Sequence, residues 1–443
     1  MYSKYIIYID PDQKRDGVYM NQTTLRNMKL KNNWLDFHYG QFYSKLMIKI
    51  NDVLKDGIIS IPQQISDQII IPDLPYEYQY SQNKLRLGPI IGCMILKKYY
   101  KNPHSQIQRF SNYNKIKGLI FLFTYSQMDH KNSVISGYYY NPKTNSFVKG
   151  FFPYPDVIFN RSHISLNKYN ILKEEIGNRV FNYPYKTGSK LKFWNEMRSD
   201  KNLQKHLPVT QSYTGIVSVI KMLDKYSAIY MKPTDLYGGK GIIYMKKEEG
   251  RFILITGENI RAETSSHKKL KSIIDKQKIE NNAYILQQAI EFNSENCKVD
   301  FRAYLQKNGF GRWNLTGLEA RIAKRDSIIT NYHGREKVEG GDEALLKRFK
   351  ITSEKVSLKK NEILKIGRAF LNKMETDHPN YHLGDVAIDL VVDVNLNIWV
   401  LEVQINYGAE RKLSGDKDDR RVIPQIFPTP FTYAKSLAGF HDK

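Results

Sequence analysis

The sequence predicts a multidomain protein of the α+β and α/β classes, with a small β-rich unit ahead of larger mixed units. Three observations lead to this prediction. The chain has 443 residues, more than one compact hydrophobic core normally serves. Residues 1–85 contain short alternating apolar segments between polar or proline-containing stretches, which is typical of strands. From residue 86 onward, apolar runs of strand length alternate with helical patterns, which is typical of sheets covered by helices.

The composition indicates a folded chain without membrane segments. Hydrophobic residues make up 41% and aromatic residues 12% of the sequence, which argues against disorder. The longest apolar runs, at 89–96 and 119–123, are far shorter than the roughly 18 residues of a membrane-spanning helix. The run at 5–9 is too short for a signal peptide. Two cysteines, Cys93 and Cys297, exclude a disulfide framework and a cysteine-rich zinc site. We therefore expect a cytoplasmic protein with no membrane span.

The charge of the chain leaves two interpretations open. Sixty-eight Lys and Arg against 45 Asp and Glu give a net charge of +23, which is typical of proteins that bind polyanions. The lysines are scattered, however, and no known nucleic-acid-binding motif accompanies them. A solvated lysine-rich surface is therefore the preferred interpretation, and nucleic acid is not the expected partner.

Individual elements follow from the pattern of apolar residues. Residues 86–180 are expected to form an α/β unit with strands at 89–96 and 118–125, a helix at 106–116 and a hairpin turning at 141–145. Beyond residue 181 we expect strands at 227–232, 241–246, 283–290, 299–306 and 313–321, with helices at 215–223, 265–279 and about 358–374. The apolar residues of the last helix keep helical spacing, which predicts a buried face.

A lysine and a group of glycines suggest a phosphate site between two of these strands. Lys232 ends the first strand, and Gly238, Gly239, Lys240 and Gly241 follow in the loop. A P-loop would continue as a helix, but this chain continues as a strand, so the glycines lie at the tip of a flap. Glycine lets backbone N–H groups approach phosphate oxygens closely, and the Lys232 ammonium would project into the same space. An ordinary long hairpin is the alternative.

A second hairpin, at 384–408, carries acidic residues on one face. If the turn is centred on residues 395 and 396, Asp389 lies directly opposite Glu402, with Cβ atoms about 5 Å apart. Opposed carboxylates destabilise a sheet unless a cation bridges them, and Mg²⁺ prefers carboxylate oxygens. Gln404 or Asn406, predicted on the same face, would add a neutral oxygen. The alternative is a solvent-facing acidic stripe, which the flanking apolar residues disfavour.

Together these motifs resemble the ATP-grasp superfamily, and more narrowly the endospore coat-associated family of the YheC/YheD type. The resemblance covers most of the chain and depends on the order of several stretches rather than on one of them. In chain order they read LGPIIGCMI, GSKLKFWNEM with LPVT, YMKPTDLYGGKGI, YILQQAIE, DFRAYLQKNGFGRWNLTG, EARIAKRDSIITN, and GDVAIDLVVD with IWVLEVQIN.

The resemblance implies an ATP-grasp fold behind a pre-ATP-grasp α/β domain. It implies an N-terminal β-rich unit at 1–85, a pre-ATP-grasp domain at 86–180 and an ATP-grasp domain at 181–443. Within the last, it places a nucleotide flap at about 205–290 and a metal-binding catalytic part at about 291–443.

The resemblance also implies which residues bind ATP. Lys190 and Lys232 stand where family lysines contact the α- and β-phosphates, beneath the glycine flap. Gln288 and Ile290 stand in the hinge whose backbone pairs with adenine. Surface exposure of Lys190 and a plain buried strand at the hinge are the alternatives.

Two arginines match the family residues that stabilise the transferring phosphoryl group. These are Arg302 and Arg321, both on predicted strands, and Asn331 matches a family asparagine after the second arginine. A buried arginine requires an anionic partner, which phosphate supplies well. A structural ion pair between Arg302 and Asp300 is the alternative.

The implied metal ligands are Asp389, Glu402 and an amide, binding Mg²⁺ or alternatively Mn²⁺. The sequence departs from the family here, because the usual Glu-x-Asn reads Glu402-Val403-Gln404, with Asn406 two residues on. The usual glycine pair after Asn331 is also displaced, to Gly340-Gly341.

The implied activity is an ATP-dependent carboxylate–amine ligase in which an amine displaces phosphate from an acyl-phosphate. An acidic peptide or a spore-surface polymer would suit the basic chain as substrate. If the resemblance holds, the protein resides in the mother-cell cytoplasm or the spore coat. A coat protein that keeps the fold without turnover is the alternative, because Gln404 replaces the usual asparagine.

Overall fold

The computed structural model describes residues 5–15, 17–30, 33–183, 190–236, 238–291, 298–331, 333–408 and 421–441. Cys297 and the Gly188-Ser189 pair of one family-like stretch lie outside these ranges. Within the described residues the strands form four β-sheets, two of seven strands, one of six and one of five. None of the helices among these residues has the length and hydropathy of a transmembrane segment.

The first sheet contains seven strands in the order β1-β5-β2-β4-β3-β7-β6. The strands and one helix of this unit are β1 Ile6–Asp10, β2 Gly17–Met20, α1 Gln22–Met28, β3 Trp34–Tyr39, β4 Phe42–Ile50, β5 Ile58–Pro62, β6 Glu77–Ser81 and β7 Lys84–Gly88. The apolar segment at 69–71, one of those expected to form strands, forms only an isolated bridge between Gln64 and Ile70. Pro72 directly after it cannot donate a ladder hydrogen bond, which ends the pairing there.

The second sheet follows the order β10-β11-β9-β8-β13-β14, with β12 paired to β11. Its elements are β8 Ile90–Met94, α2 Lys97–Tyr100, α3 Tyr113–Ile116, β9 Leu119–Phe123, β10 Met128–Asp129, β11 Val134–Asn141, β12 Ser146–Pro153, β13 Val157–Asn160, α4 Leu166–Ile176 and β14 Val180–Phe181. The helix predicted at 106–116 was wrong, because the chain forms a 3₁₀ helix at Pro103–Phe110 and then the short α3. Ser111 and Asn112 separate them, and both residue types compete with helical hydrogen bonds.

The third sheet has six strands in the order β15-β20-β16-β17-β18-β19. Its elements are α5 Lys190–Met197, α6 Lys201–Gln204, β15 Thr210–Ser212, α7 Ile216–Tyr226, β16 Ala228–Pro233, β17 Ile243–Glu248, β18 Arg251–Thr256, β19 Arg261–Thr264, α8 His267–Gln277 and β20 Tyr284–Gln288. One face packs on α7 and α8, which leaves the other face toward the fourth sheet. The strand predicted to run to residue 290 ends at Gln288, so Ile290 lies beyond it.

The fourth sheet has the order β23-β22-β21-β24-β25. Its elements are β21 Val299–Lys307, β22 Trp313–Ala323, β23 Arg335–Gly340, α9 Gly341–Arg348, α10 Ser353–Asp377, β24 Asp385–Val392, β25 Ile398–Ile405, α11 Ile423–Ile426 and α12 Thr429–Leu437. Helix α10 buries Ile363, Phe370 and Met374 in the largest core cluster, which confirms its predicted apolar face. Helix α12 was not predicted, and its Phe431 packs against Phe159 of the second sheet.

Candidate nucleotide and metal site

The hairpin of β24 and β25 places the two predicted carboxylates opposite each other. Asp389 pairs with Glu402, as expected, and the pairing continues toward the open end through Ile388 and Val403. A β-bulge follows Asp389 on the other side, so the register beyond it is shifted by one residue. Val392 therefore pairs with Ile398 around an odd turn, so the predicted even turn centred on residues 395 and 396 was wrong, and Val400 belongs to the core.

Asp393, the acidic residue that follows β24, does not extend the acidic face of the hairpin. The Asp393 carboxylate accepts hydrogen bonds from the backbone N–H groups of Asn395 (2.9 Å) and Asn397 (2.7 Å) and from the Trp399 indole (2.9 Å). Asp393 thus closes the turn. It does not join the site.

Both predicted arginines converge on Asp389. Arg302 donates through Nε and Nη2 to the two Asp389 oxygens, at 2.7 and 2.9 Å. Arg321 places Nη2 at 3.0 Å from Asp389 Oδ2 and donates from Nε to Asp300 Oδ1 at 2.6 Å. Asp300 also accepts a hydrogen bond from Thr330. The ion pair considered for Arg302 thus forms with Asp389, because β21 and β24 are neighbours, and Asp300 binds Arg321 instead.

The electrostatics of the two opposed carboxylates differ. Burial raises the pKa of Asp389, but Arg302 and Arg321 outweigh burial and hold that pKa well below its usual range. Burial and the adjacent Asp389 charge together raise the pKa of Glu402, although Lys190 and Gln404 act in the opposite direction. Asp389 is therefore the firmly ionised member of the pair, and Glu402 is the one that an added cation would stabilise most.

The oxygen donors around this pair fit a hard divalent cation. Gln404 Nε2 donates to Asp389 Oδ2 at 3.2 Å and to Glu402 Oε1 at 2.5 Å, while Gln404 Oε1 accepts from Arg302 at 3.0 Å. The Gln404 amide therefore lies beside both carboxylates. If this amide group rotated so that its oxygen faced them, Asp389, Glu402 and Gln404 would each offer an oxygen to a metal ion. No group of three acidic, histidine or cysteine side chains with metal-binding geometry occurs in the described ranges.

Asn406 points elsewhere. It adopts a left-handed backbone conformation (φ 62°) directly after β25, and its Nδ2 donates to the Ser162 carbonyl at 3.3 Å. The structure thus brings Gln404, and not Asn406, into hydrogen-bonding distance of the carboxylates. The role of either amide as a ligand stays a prediction.

Lys232 lies at the end of β16, on the sheet face that looks toward these acids. Its Nζ donates to Gln287 Oε1 at 2.6 Å, and Gln287 in turn donates to the Thr210 hydroxyl at 3.0 Å. Burial and the nearby Lys298 and Lys190 lower the Lys232 pKa to about 7. An anionic group entering here would remove this mutual repulsion.

Lys190 opens α5 and reaches the base of the glycine loop. Its Nζ donates to the carbonyl oxygens of Leu236 (2.9 Å), Pro233 (3.3 Å) and Thr234 (3.4 Å). Burial lowers its pKa, and Glu402 acts in the opposite direction. The alternative that Lys190 is only a surface lysine is disfavoured by these contacts, which hold its charge between the flap and Glu402.

The glycine loop joins β16 and β17, which pair as the predicted hairpin. Gly238, Gly239 and Gly241 have φ values of 72°, 77° and 67°, a region that L side chains rarely adopt. Lys240 between them is exposed. A Cβ on Gly239 would overlap the Asn331 amide nitrogen, so the flap tip lies directly on the loop that follows Arg321.

Two alanine substitutions separate the contact from the backbone strain. Both Gly238→Ala and Gly239→Ala force a positive φ, which costs about 1–2 kcal/mol. Only Gly239→Ala also displaces Asn331, since among the described residues no atom beyond the chain neighbours lies within 4 Å of a Cβ at Gly238. We expect Gly239→Ala to lower the thermal midpoint further than Gly238→Ala. When Asn331→Ala is added to both variants, this difference between their midpoints should disappear. Equal midpoints for the two glycine variants would contradict the contact.

In the predicted hinge, the Gln288 side chain is hydrogen-bonded to the neighbouring backbone. The Gln288 side-chain Oε1 accepts a hydrogen bond from the backbone N–H of Val209 at 3.3 Å. The backbone N–H of Gln288 donates to the Val209 carbonyl at 2.8 Å. Beside it, the inner face of the third sheet is apolar. This face comprises Tyr230, Ile242, Tyr244, Ile255 and Ala289, against which Ile328 and Ile329 pack.

Several site residues were not predicted. Lys298 donates to the Tyr230 hydroxyl at 3.3 Å and to the Ile328 carbonyl at 3.2 Å. Tyr230 could have been found, because it is two residues before Lys232 and so shares its face. Gln287 pairs opposite Tyr230, a contact that only the sheet topology reveals.

Comparison of the sequence with known families and proteins finds matches to YheC and YheD. Residues 177–437 match the family model described as YheC/D like ATP-grasp. The chain is 21% identical over 343 residues to the endospore coat-associated protein YheD of Bacillus subtilis, an alignment that covers 73% of this chain and 74% of that protein. It is 22% identical over 303 residues to YheC of the same organism, covering 64% and 78%. These matches confirm the resemblance that the motifs indicated.

One solved structure with a similar arrangement is the VanG D-Ala:D-Ser ligase from Enterococcus faecalis. It covers 79% of this chain and 98% of its own length, with 12% identity and a TM-score of 0.43. The family assignment rests on the sequence matches.

Proposed function

Because the chain belongs to the YheC/D-like ATP-grasp family, we propose that it binds ATP with Mg²⁺ and joins a carboxylate to an amine. One observation carries this proposal: five cationic side chains from the third and fourth sheets and the residues beside them gather around one opposed pair of carboxylates. The cations are Lys190, Lys232, Lys298, Arg302 and Arg321. Such a concentration of positive charge suits a triphosphate, and the carboxylates suit its metal ion.

Each group has a role that follows from its position. Lys232 and Lys190 lie beneath the glycine loop and would bind phosphate oxygens, with the flap glycines closing over them. Arg302 and Arg321 lie beside the acids and would neutralise charge that develops on the transferred phosphoryl group. Asp389, Glu402 and Gln404 would hold Mg²⁺, which would further neutralise the phosphates.

The proposed reaction has two steps. A substrate carboxylate oxygen attacks the γ-phosphorus, and the bond to the ADP oxygen breaks, which gives an acyl-phosphate and ADP. An amine then attacks the acyl carbon, phosphate leaves, and the amine nitrogen loses a proton, which gives an amide. The side chains contribute positioning and charge stabilisation at both steps.

Metal-dependent nucleotide binding tests the first half of this proposal. We expect a non-hydrolysable ATP analogue to bind in the presence of Mg²⁺, in a calorimetric titration, and to bind weakly after EDTA treatment. Glu402→Ala should remove the Mg²⁺ dependence, whereas Lys221→Ala on the exposed side of α7 should leave it intact. Equal analogue affinity with and without Mg²⁺ in the unaltered chain would contradict the site.

A binding protein without turnover is the second candidate. Gln404 stands where the family has asparagine, and two arginines already hold Asp389. ADP release across a panel of amino acids and acidic peptides distinguishes the two candidates, because ATP binding with no release favours this one. The relatives are named endospore coat-associated, and we propose the same association for this chain with either function.

A further inference from the structure

Two strands of the second sheet end beside the site, at a point where the strand order reverses. Strands β8 and β13 are parallel neighbours, and β9 pairs with β8 on its opposite edge. The chain leaves β8 toward β9 and leaves β13 toward β14, so the two connections diverge where both strands end. Crevices of this kind at the carboxyl ends of strands are the usual ligand sites of open α/β sheets.

This crevice adjoins the hairpin that carries Glu402 and Gln404. Arg161, directly after β13, places Nη1 at 3.0 Å from Asp385 Oδ2 and donates from Nη2 to the Tyr407 carbonyl at 2.9 Å. Asn406 donates to the Ser162 carbonyl at 3.3 Å, and it lies two residues after Gln404. A substrate bound in the crevice could therefore extend to the carboxylate pair.

The crevice is basic. Residues 86–180 contain fourteen Lys and Arg but only four Asp and Glu, so this fifth of the chain carries close to half of the net charge of +23. Lys97, Lys98 and Lys101 follow β8, and His163 follows β13; all four are exposed. Partial burial and the nearby charges of Arg161 and Lys98 lower the His163 pKa, so this imidazole is protonated less readily and the lysines supply the positive charge.

These cations have no acidic partners in the parts of the chain that the structure describes. No Asp or Glu there forms an ion pair with Lys97, Lys98 or Lys101, and Lys98 Nζ lies 4.5 Å from the centre of the Tyr99 ring. We name Lys97, Lys98, Lys101 and His163 the basic crevice.

We propose that the carboxylate substrate of the proposed ligase is an acidic peptide, and that the basic crevice binds its flanking carboxylates. This inference rests on the proposed function and adds the substrate class to it. The exposed ammonium groups suit a flexible chain of carboxylates, and the adjacent hairpin receives the carboxylate that reacts.

A labelled poly-L-glutamate of about ten residues tests the basic crevice by fluorescence anisotropy. The double variant Lys97→Glu/Lys98→Glu should weaken peptide binding by about tenfold or more, a loss expected from reversing two exposed charges. The matched control, Lys268→Glu/Lys269→Glu, makes the same change at two adjacent exposed lysines on α8. The control should bind the peptide like the unaltered chain, and all three proteins should bind the ATP analogue equally.

Other results would overturn the inference. Equal loss in both double variants would mean that only net charge attracts the peptide. No peptide binding at all, or tighter binding of a DNA oligonucleotide of the same length, would also overturn it. If the ATP analogue still binds with Mg²⁺ in these cases, the nucleotide site of the proposed function stands and only the substrate class fails. If the analogue does not bind either, the proposed function fails as well.

Discussion

Replacing Asp389 with alanine should lower the free energy of unfolding by about 3–5 kcal/mol, the loss typical of breaking a buried ion pair. The reason is that Arg302 and Arg321 share this carboxylate and would stay buried without it. Equilibrium urea unfolding without nucleotide measures the change. An unaltered slope with a lower midpoint would show that stability, and not the unfolding mechanism, has changed.

Glu402→Gln is the matched control, because it alters the opposed carboxylate of the same hairpin. Asp389 repels Glu402 and raises its pKa, so a neutral isostere should change stability by less than about 1 kcal/mol. If Asp389→Ala costs no more than Glu402→Gln, the arginine network does not stabilise the fold.

The pH dependence gives an independent measurement of the same network. The pKa of Asp389 is held below its unfolded value of about 4, so its stabilisation is complete above that pH and is lost as the pH falls further. The unaltered chain should therefore lose stability below about pH 4 more steeply than Asp389→Ala. Parallel acid profiles for the two proteins would contradict the assignment.

The sequence analysis predicted the facing carboxylates correctly, although the turn from which it derived them was wrong. Side-chain direction in a strand has period two, and the predicted even turn centred on residues 395 and 396 would pair Asp389 with Glu402. The observed turn is odd, because Val392 pairs with Ile398. The β-bulge after Asp389 adds one residue to β25, which restores the predicted register at Asp389 and places Val400 in the core. A bulge is a backbone feature with no requirement for a particular residue here, so the pattern could not reveal it.

The arginine partners could not be predicted for a different reason. Asp300 is near Arg302 in sequence and was the obvious candidate, but Asp389 is opposite Arg302 in the sheet. Which strands become neighbours depends on the packing of the whole unit. The unpredicted α12 likewise depends on tertiary contacts, since its Phe431 is buried against the second sheet.

Replacing Lys232 with methionine should weaken binding of the ATP analogue by about 10- to 100-fold while leaving stability within about 1 kcal/mol. A charged hydrogen bond to phosphate contributes about 1.5–3 kcal/mol, which sets the binding loss. Stability changes little because the lost bond to Gln287 is offset by relief of repulsion from Lys190 and Lys298. A variant that binds the analogue normally would show that Lys232 does not contact the phosphates.

The titration of Lys232 makes this contact visible in the unaltered chain. With a pKa of about 7, the free protein carries a neutral amine above that pH, and a bound triphosphate restores its charge. Binding should therefore take up nearly one proton per molecule at about pH 8 and almost none at about pH 6. The affinity for the analogue should fall as the pH rises. Calorimetry in two buffers of different ionisation enthalpy counts these protons. Lys232→Arg is charged throughout this range and should abolish the uptake. If Lys232→Arg still takes up a proton on binding, another group binds that proton. Lys190 would then be the next residue to substitute, because burial lowers its pKa as well.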